Sequence, residues 1–209
     1  MYVPKHFEEN REEEINRIIK SFPLATIVAN TKSGLIANHI PLLLKKPSKG
    51  KSVLFGHIAK HNSLHKELRN TDKILVIFKS EDAYISPNWY PSIHKGQEHV
   101  PTWNYQAVHV YGDIVFKYDK KFILKTVGEL TKFFEGDNNN GEGWKMNTVS
   151  SKYMTAMLKE IVGFEISITK ILAKSKLSQN REERDSQNVS VKLKDNGFNF
   201  LNNSMTKLK

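Results

Sequence analysis

The sequence predicts a mainly-β fold with peripheral helices, built as a six-stranded antiparallel barrel. Three observations predict it. Six stretches carry β-branched or alternating apolar residues, the connections between most consecutive stretches are short, and no glycine-rich turn of the G-x-G-x-x-G kind follows any of them. Short connections favour antiparallel neighbours, because a parallel pair needs a crossover of about a dozen residues or more. Doubly wound nucleotide-binding sheets are thereby disfavoured and a small barrel is favoured.

The elements follow in chain order. Glu8–Phe22 reads as a helix, with Ile15, Ile18, Ile19 and Phe22 at helical spacing and acids in its first turns. Leu24–Asn30 is a strand, Thr31–Gly34 carries turn residues, and Leu35–Leu44 is the returning strand of a hairpin. A polar loop at Lys45–Lys51 leads to a third strand, Ser52–Ile58. Asn62 or Ser63 caps a short helix before the fourth strand, Lys73–Lys79. The fifth and longest strand covers Asn104–Tyr118, with Val108, Val110, Ile114 and Phe116 on one face and Tyr105, His109, Tyr111 and Asp113 on the other. Asp119 caps a helix whose stripe is Ile123, Val127, Leu130 and Phe134. A mobile loop is expected at Gly136–Gly143, a short helix at Ser151–Ile161, and a sixth strand near Gly163–Leu172. The expected division is one domain over 1–180 and a polar tail over 181–209, the tail partly helical or disordered.

Composition narrows the chemistry. The 209 residues contain no cysteine, which excludes disulfides, thiolate metal sites and cysteine nucleophiles. No apolar run approaches the ~20 residues of a membrane span, and the start MYVPKHFEENREEE lacks the layout of a signal peptide, so a cytoplasmic location is the expectation. The formal net charge is +10, and residues 45–79 carry nine basic but only two acidic side chains. Such a surface suits polyanions, though lysine dominates over the better base reader, arginine, and a plain solvated surface explains the charge as well.

Two blocks rich in aromatics and amides stand out, YISPNWY at Tyr84–Tyr90 and VPTWNYQAVHVYG at Val100–Gly112. Broad rings beside polar donors suit a flat, partly polar ligand or a subunit interface. Three further constellations accompany them. Asn38, His39, Ile40 and Pro41 place a proline within a strand, where an edge or bulge frees backbone groups for a ligand or merely marks irregularity. His57, Lys60, Asn62 and Lys66 lie where a strand gives way to a helix, an arrangement suited to a phosphate, or to a capped helix with solvated lysines. Lys174–Arg181, with Lys176 and Gln179, is placed to close over a site or to be a plain strand-exit loop. His57, His61 and His65 lack a third ligand at convincing spacing, so no metal site is assigned. No nucleophile elbow is present, and no catalytic residue is nominated.

Together these blocks resemble the PaiB family of FMN-binding negative transcriptional regulators. The resemblance rests on MYVPKHF, NHIPLLL, GHIAKHN, LVIFKSEDAYISPNWY, VPTWNYQAVHVYG, MLKEIVGFEISITKI and KLSQN, in order over residues 1–181. It implies a split β-barrel of the pyridoxamine-phosphate-oxidase-like FMN-binding type, working as a homodimer with FMN at the subunit interface. In such a barrel the ring system lies along Asn38–Pro41, the phosphate is held near His57, Lys60, Asn62 and Lys66, and Trp103 and Asn104 of a partner subunit complete the pocket. DNA is a candidate partner through Lys45–Lys79 or the tail, although no helix-turn-helix pattern is present. The resemblance leaves open a flavin-dependent oxidoreductase or a haem-degrading split-barrel enzyme, with His39, His57 or His109 as candidate ligands. It also leaves open a dimeric interaction module whose pocket is empty.

Overall fold

A tight turn starts the barrel. Thr31 Oγ1 donates to the Gly34 carbonyl at 2.9 Å and accepts from the Ser33 amide at 3.2 Å, while Gly34 sits at φ +106°, a conformation that only glycine adopts cheaply. The turn joins β1 (Leu24–Thr31) to β2 (Gly34–Pro41), paired antiparallel from Leu24↔Pro41 to Thr31↔Gly34. The remaining strands are β3 (Leu43–Lys45), β4 (Val53–Ala59), β5 (Lys73–Ile85), β6 (Thr102–Lys117) and β7 (Ile161–Lys176). The helices are α1 (Glu12–Ser21), α2 (Leu64–Glu67), α3 (Lys120–Gly136), α4 (Ser151–Lys159), α5 (Glu183–Asp195) and α6 (Asn199–Thr206). The computed structural model describes residues 1–47, 50–136 and 142–207, so most of the loop expected at Gly136–Gly143 lies outside the described residues. No helix among the described residues is long and apolar enough to cross a membrane.

One mainly antiparallel sheet holds seven strands in the order β2-β1-β5-β6-β7-β4-β3, against the six expected. The extra strand arises at Leu42, where the stretch expected as one strand, Leu35–Leu44, is cut in two. β1 begins at Leu24, so the ladder that β2 makes with it ends at Pro41. The Leu42 amide turns to the Pro23 carbonyl at 2.9 Å, and Leu43–Lys45 pair instead with Phe55, Leu54 and Val53 of β4. β2 and β3 are therefore opposite ends of the sheet separated by one residue. A sheet whose end strands are consecutive has to curl onto itself, which is the closure of a barrel.

The chain resolves into two compact units, one of Met1–Phe22, Phe78–His109 and Leu172–Lys209, the other of Pro23–Ile77 and Val110–Ile171. The second unit holds the barrel closure, with Ala25, Ile27, Leu54, Val76, Ile114 and Phe164 buried. Asp119 Oδ1 caps α3 by accepting from the Phe122 amide at 2.8 Å. The buried stripe of α3 is Ile123, Thr126 and Leu130, whereas Phe134 is exposed. In the first unit, residues 183–206 form α5 and α6, whose Val189, Leu193, Leu201 and Met205 share a core with Ala83, Ile85, Tyr90 and Leu177.

Gly112 of β6 lets β7 approach closely. A Cβ there would lie 2.7 Å from the Ser167 carbonyl oxygen and 2.6 Å from Ile166 Cγ2. Gly112→Ala is expected to cost about 1–3 kcal/mol, because backbone rather than a side-chain tip has to move. Gly128→Ala, with nothing nearer than Met146 Sδ at 3.8 Å, should stabilise α3 by up to about 1 kcal/mol. Urea unfolding of the two variants checks the pair, and equal midpoints would refute the close approach.

Candidate functional site

In the barrel unit, the proline-bearing strand and the strand-to-helix corner meet. Asn62 Nδ2 donates to Asn38 Oδ1 at 2.7 Å, linking positions 24 residues apart. Gly56 permits the approach, since a Cβ on it would lie 3.0 Å from the Pro41 carbonyl and 2.7 Å from Leu42 Cδ2. Ile40 is buried, Pro41 half-buried and His39 exposed, with His39 Nδ1 3.0 Å from Thr26 Oγ1. His57 follows Gly56 on β4. Its Nδ1 is shielded from solvent without a hydrogen-bond partner, and burial holds its pKa below the usual imidazole range. A shielded, neutral ring nitrogen with nothing bonded to it is a place for a ligand's polar edge.

Lys60 and Lys66 are exposed, and neither ammonium is paired with a carboxylate among the described residues. The helix beside them differs from expectation. α2 is a single turn, and its Leu64 amide is already capped by Asn62 Oδ1 at 2.9 Å. One turn has little macrodipole to offer an anion, so any phosphate here rests on the two lysine charges. The three histidines diverge: His61 faces Glu160 at 3.8 Å, and His65 Nε2 lies 2.9 Å from the Lys60 carbonyl.

Trp103, Asn104, Lys176 and Gln179 gather in the other unit. Trp103 is 51% exposed and meets Tyr84 edge-on at 5.8 Å, a broad aromatic surface. Asn104 is 1% exposed and exchanges hydrogen bonds with the Ser178 hydroxyl at 3.0 and 3.1 Å. The Lys176 ammonium donates to Thr102 Oγ1 and to the Trp103 carbonyl. Gln179 braces its own turn, accepting from the Leu177 amide at 2.7 Å and donating to the Ser175 carbonyl at 2.5 Å. Both groups of that amide are occupied, which leaves it little for a ligand.

Sequence reasoning missed the buried Gln106, which bonds Glu14, Ser175 and Ser204. A signal was present. Asn104 and Gln106 fall in phase with the buried Val108 and Val110 of β6, and an amide on a core-facing position demands partners.

The residues of the barrel corner fit a phosphorylated planar cofactor: two unpaired lysines for the phosphate, an open imidazole nitrogen, and an irregular strand beside them. Residues 1–170 match the model of the family described as "Putative FMN-binding domain". The chain is 35% identical over 193 residues to the Bacillus subtilis "Protease synthase and sporulation protein PAI 2", covering 92% of this chain and 89% of that one. Among solved structures, the flavocytochrome Anf3 from Azotobacter vinelandii superposes with a TM-score of 0.60 at 13% identity, covering 89% of this chain and 78% of that one. The FAD and heme binding protein from Mycobacterium smegmatis gives 0.54 at 14%, covering 81% and 73%. These likenesses show the fold alone, the split barrel expected from the sequence. The chain belongs to the FMN-binding domain family, as the resemblance to PaiB implied, and FMN is its cofactor.

Proposed function

We propose that this protein is a cytoplasmic, homodimeric FMN-binding negative regulator of transcription of the PaiB type. The observation that carries the regulatory reading is the identity, over nearly the whole chain, with a protein named for protease synthesis and sporulation. Residues 1–180 carry the cofactor, and α5 and α6 of the tail at 181–209 pack on the core of Ala83, Ile85, Tyr90 and Leu177.

FMN, when bound, supplies a redox-active ring that reports the state of the cell. Lys60 and Lys66 hold its phosphate, with Asn62 fixing the corner by its bond to Asn38. The backbone of Asn38, His39, Ile40 and Pro41 would hold the ring, and the unpartnered His57 Nδ1 would be free to bond a polar group of it. Trp103 of a second copy would cover the exposed side, with Lys176 bonded to its carbonyl and the buried Asn104 and Gln179 bracing the turn behind it. DNA is met by the basic stretch Lys45–Lys79, where lysine charge supplies affinity.

Two measurements test this. The double variant Lys60→Ala/Lys66→Ala should lose FMN affinity by about tenfold to a hundredfold, the loss expected for two charge-assisted contacts. Unchanged affinity in a flavin titration would remove the phosphate seat. Binding to promoter-length duplexes should fall steeply with salt and favour one sequence over competitor. Equal, weak binding to every duplex would end the repressor reading and leave the FMN reading intact.

A further inference from the structure

One tryptophan lies apart from everything described above. Trp89 packs against the core that the tail shares, and Trp103 meets Tyr84. Trp144 does neither. It is 46% exposed and borders a slot of about 320 Å³ between α3 and the segment that follows it. Gly128, Lys132, Glu135, Lys145 and Met146 line the rest, and the exposed walls are mostly apolar. All of these residues belong to the barrel unit, and none is a residue of the flavin site.

A single exposed ring means little by itself. This one stands beside space that the helix leaves open. A Cβ on Gly128 would meet only Met146 Sδ, at 3.8 Å, so no side chain fills the helix wall there. The Trp144 amide donates to Glu135 Oε2 at 3.0 Å, which pins the base of the ring to the last turn of α3 and engages the one carboxylate of the slot. The charge around it is one-sided. Lys132 and Lys145 are exposed, and neither ammonium is paired with a carboxylate among the described residues. The other α3 carboxylate, Glu129, is met by Lys45 and Lys125, each at 3.9 Å.

An open indole, an apolar slot and two uncommitted ammoniums suit a ligand with a flat face joined to an anionic group. A base stacks on an aromatic side chain whatever its identity, because every base has a π-face. Lysine meets a phosphate as a point charge without demanding one geometry. The volume lies at the low end of the range of about 300–1,000 Å³ for small-molecule sites, which suits one nucleotide rather than a dinucleotide. We propose that this slot binds a nucleotide, its base on Trp144 and its phosphate on Lys132 and Lys145, either free or as an unpaired residue of a single strand. The site is independent of the FMN seat and of any duplex contact made by Lys45–Lys79.

Titration calorimetry into the FMN-saturated full chain tests this, with adenosine monophosphate, adenosine and inorganic phosphate as separate probes. One adenosine monophosphate should bind per chain. Adenosine or phosphate alone should bind at least tenfold more weakly, because each lacks half of the contacts. Trp144→Ala should weaken the nucleotide about tenfold or more, and Trp144→Phe should restore most of it. The joint variant Lys132→Gln/Lys145→Gln should fall to the level of adenosine, with flavin content by visible absorbance the same throughout. No nucleotide heat, a nucleotide no tighter than phosphate, or unchanged affinity in Trp144→Ala would overturn the proposal. So would displacement of FMN one for one, which puts the nucleotide in the flavin's own seat. A short single strand of deoxyadenosines separates the two sources. Tighter binding than the monophosphate, lost in Trp144→Ala, assigns the slot to unpaired strands, and equal or weaker binding assigns it to free nucleotides. Should Trp144→Ala fail to fold, Gly128→Leu replaces it, filling the slot from a position with only Met146 Sδ nearby. The same tenfold fall is expected there, and an unchanged affinity counts against the slot.

Discussion

Gln106→Leu is expected to destabilise the protein by about 3 kcal/mol or more, one of the largest effects of any single change, although leucine preserves the volume. Gln106 is fully buried on β6. Its Nε2 donates to Glu14 Oε1 at 2.8 Å and to Ser175 Oγ at 2.7 Å, and its Oε1 accepts from Ser204 Oγ at 2.7 Å. One amide thus ties α1, β7 and α6 to the strand. The network continues outward, with Ser175 Oγ donating to Glu9 Oε2 at 2.9 Å and Arg17 reaching Ser204 Oγ at 2.5 Å. Removing the hub takes one hydrogen bond each from Ser175, Ser204 and the 5%-exposed Glu14 carboxylate, which keep their bonds to Glu9, Phe200 and Arg17. Each neutral hydrogen bond lost costs about 0.5–1.5 kcal/mol, and the one to the charged carboxylate about 1.5–3 kcal/mol.

The same variant has a pH signature. Burial pushes the Glu14 carboxyl up, but hydrogen bonds from Arg17 and Gln106 and the charges of Arg17 and Arg11 outweigh it and hold the pKa below 4.5. A depressed carboxylate contributes stability that is complete above the unfolded value and is lost as pH falls through the folded one. Without Gln106, Glu14 titrates nearer the ordinary carboxylate range and has less to lose. The stability gap between wild type and Gln106→Leu should therefore narrow as pH drops below about 4.5. A gap that stays constant would mean that Gln106 does not act on Glu14.

Much of the barrel was legible because its signals are local. Alternation placed Val108, Val110, Ile114 and Phe116 on the buried face of β6, and the Asp119 cap set the start of α3. The break at Leu42 was not legible. Residues 35–44 are nearly continuous in apolar character, and the cut is set by where β1 begins, on a different segment. The tail was hidden for a similar reason. α5 and α6 each carry one narrow apolar stripe among polar residues, which reads as either partial helix or disorder until Ala83, Ile85 and Tyr90 are seen to cover it.

The candidate site divided along the same line. Lysines at a strand end and a proline in a strand are visible in sequence, and the structure joins them through Asn38 and Asn62. What Gln179 does with its amide is decided by backbone groups of its own turn, and the positive φ of Ser178 has no glycine to announce it. Both are products of folding rather than of residue type.

Leu201→Ala should cost about 2–5 kcal/mol, the range for a large apolar side chain removed from a closed core. Leu201 is fully buried among Val189, Leu193, Met205 and Leu177. Its amide also donates to Glu81 Oε1 at 2.8 Å, so a side chain of β5 satisfies the first turn of α6, whose own N-cap Phe198 supplies no side-chain hydrogen bond. The bond to Glu81 and the core shared with Ala83 and Ile85 thus join the tail to β5, as far as 120 positions earlier. Val191→Ala, on the exposed side of α5, is the control and should change stability by less than about 0.5 kcal/mol. If the tail folds as part of the same cooperative unit, Leu201→Ala lowers the urea midpoint and the hydrogen-exchange protection of β5 together. Loss of protection confined to α5 and α6, with the midpoint of the rest unmoved, would show instead that the helices dock as a separable layer.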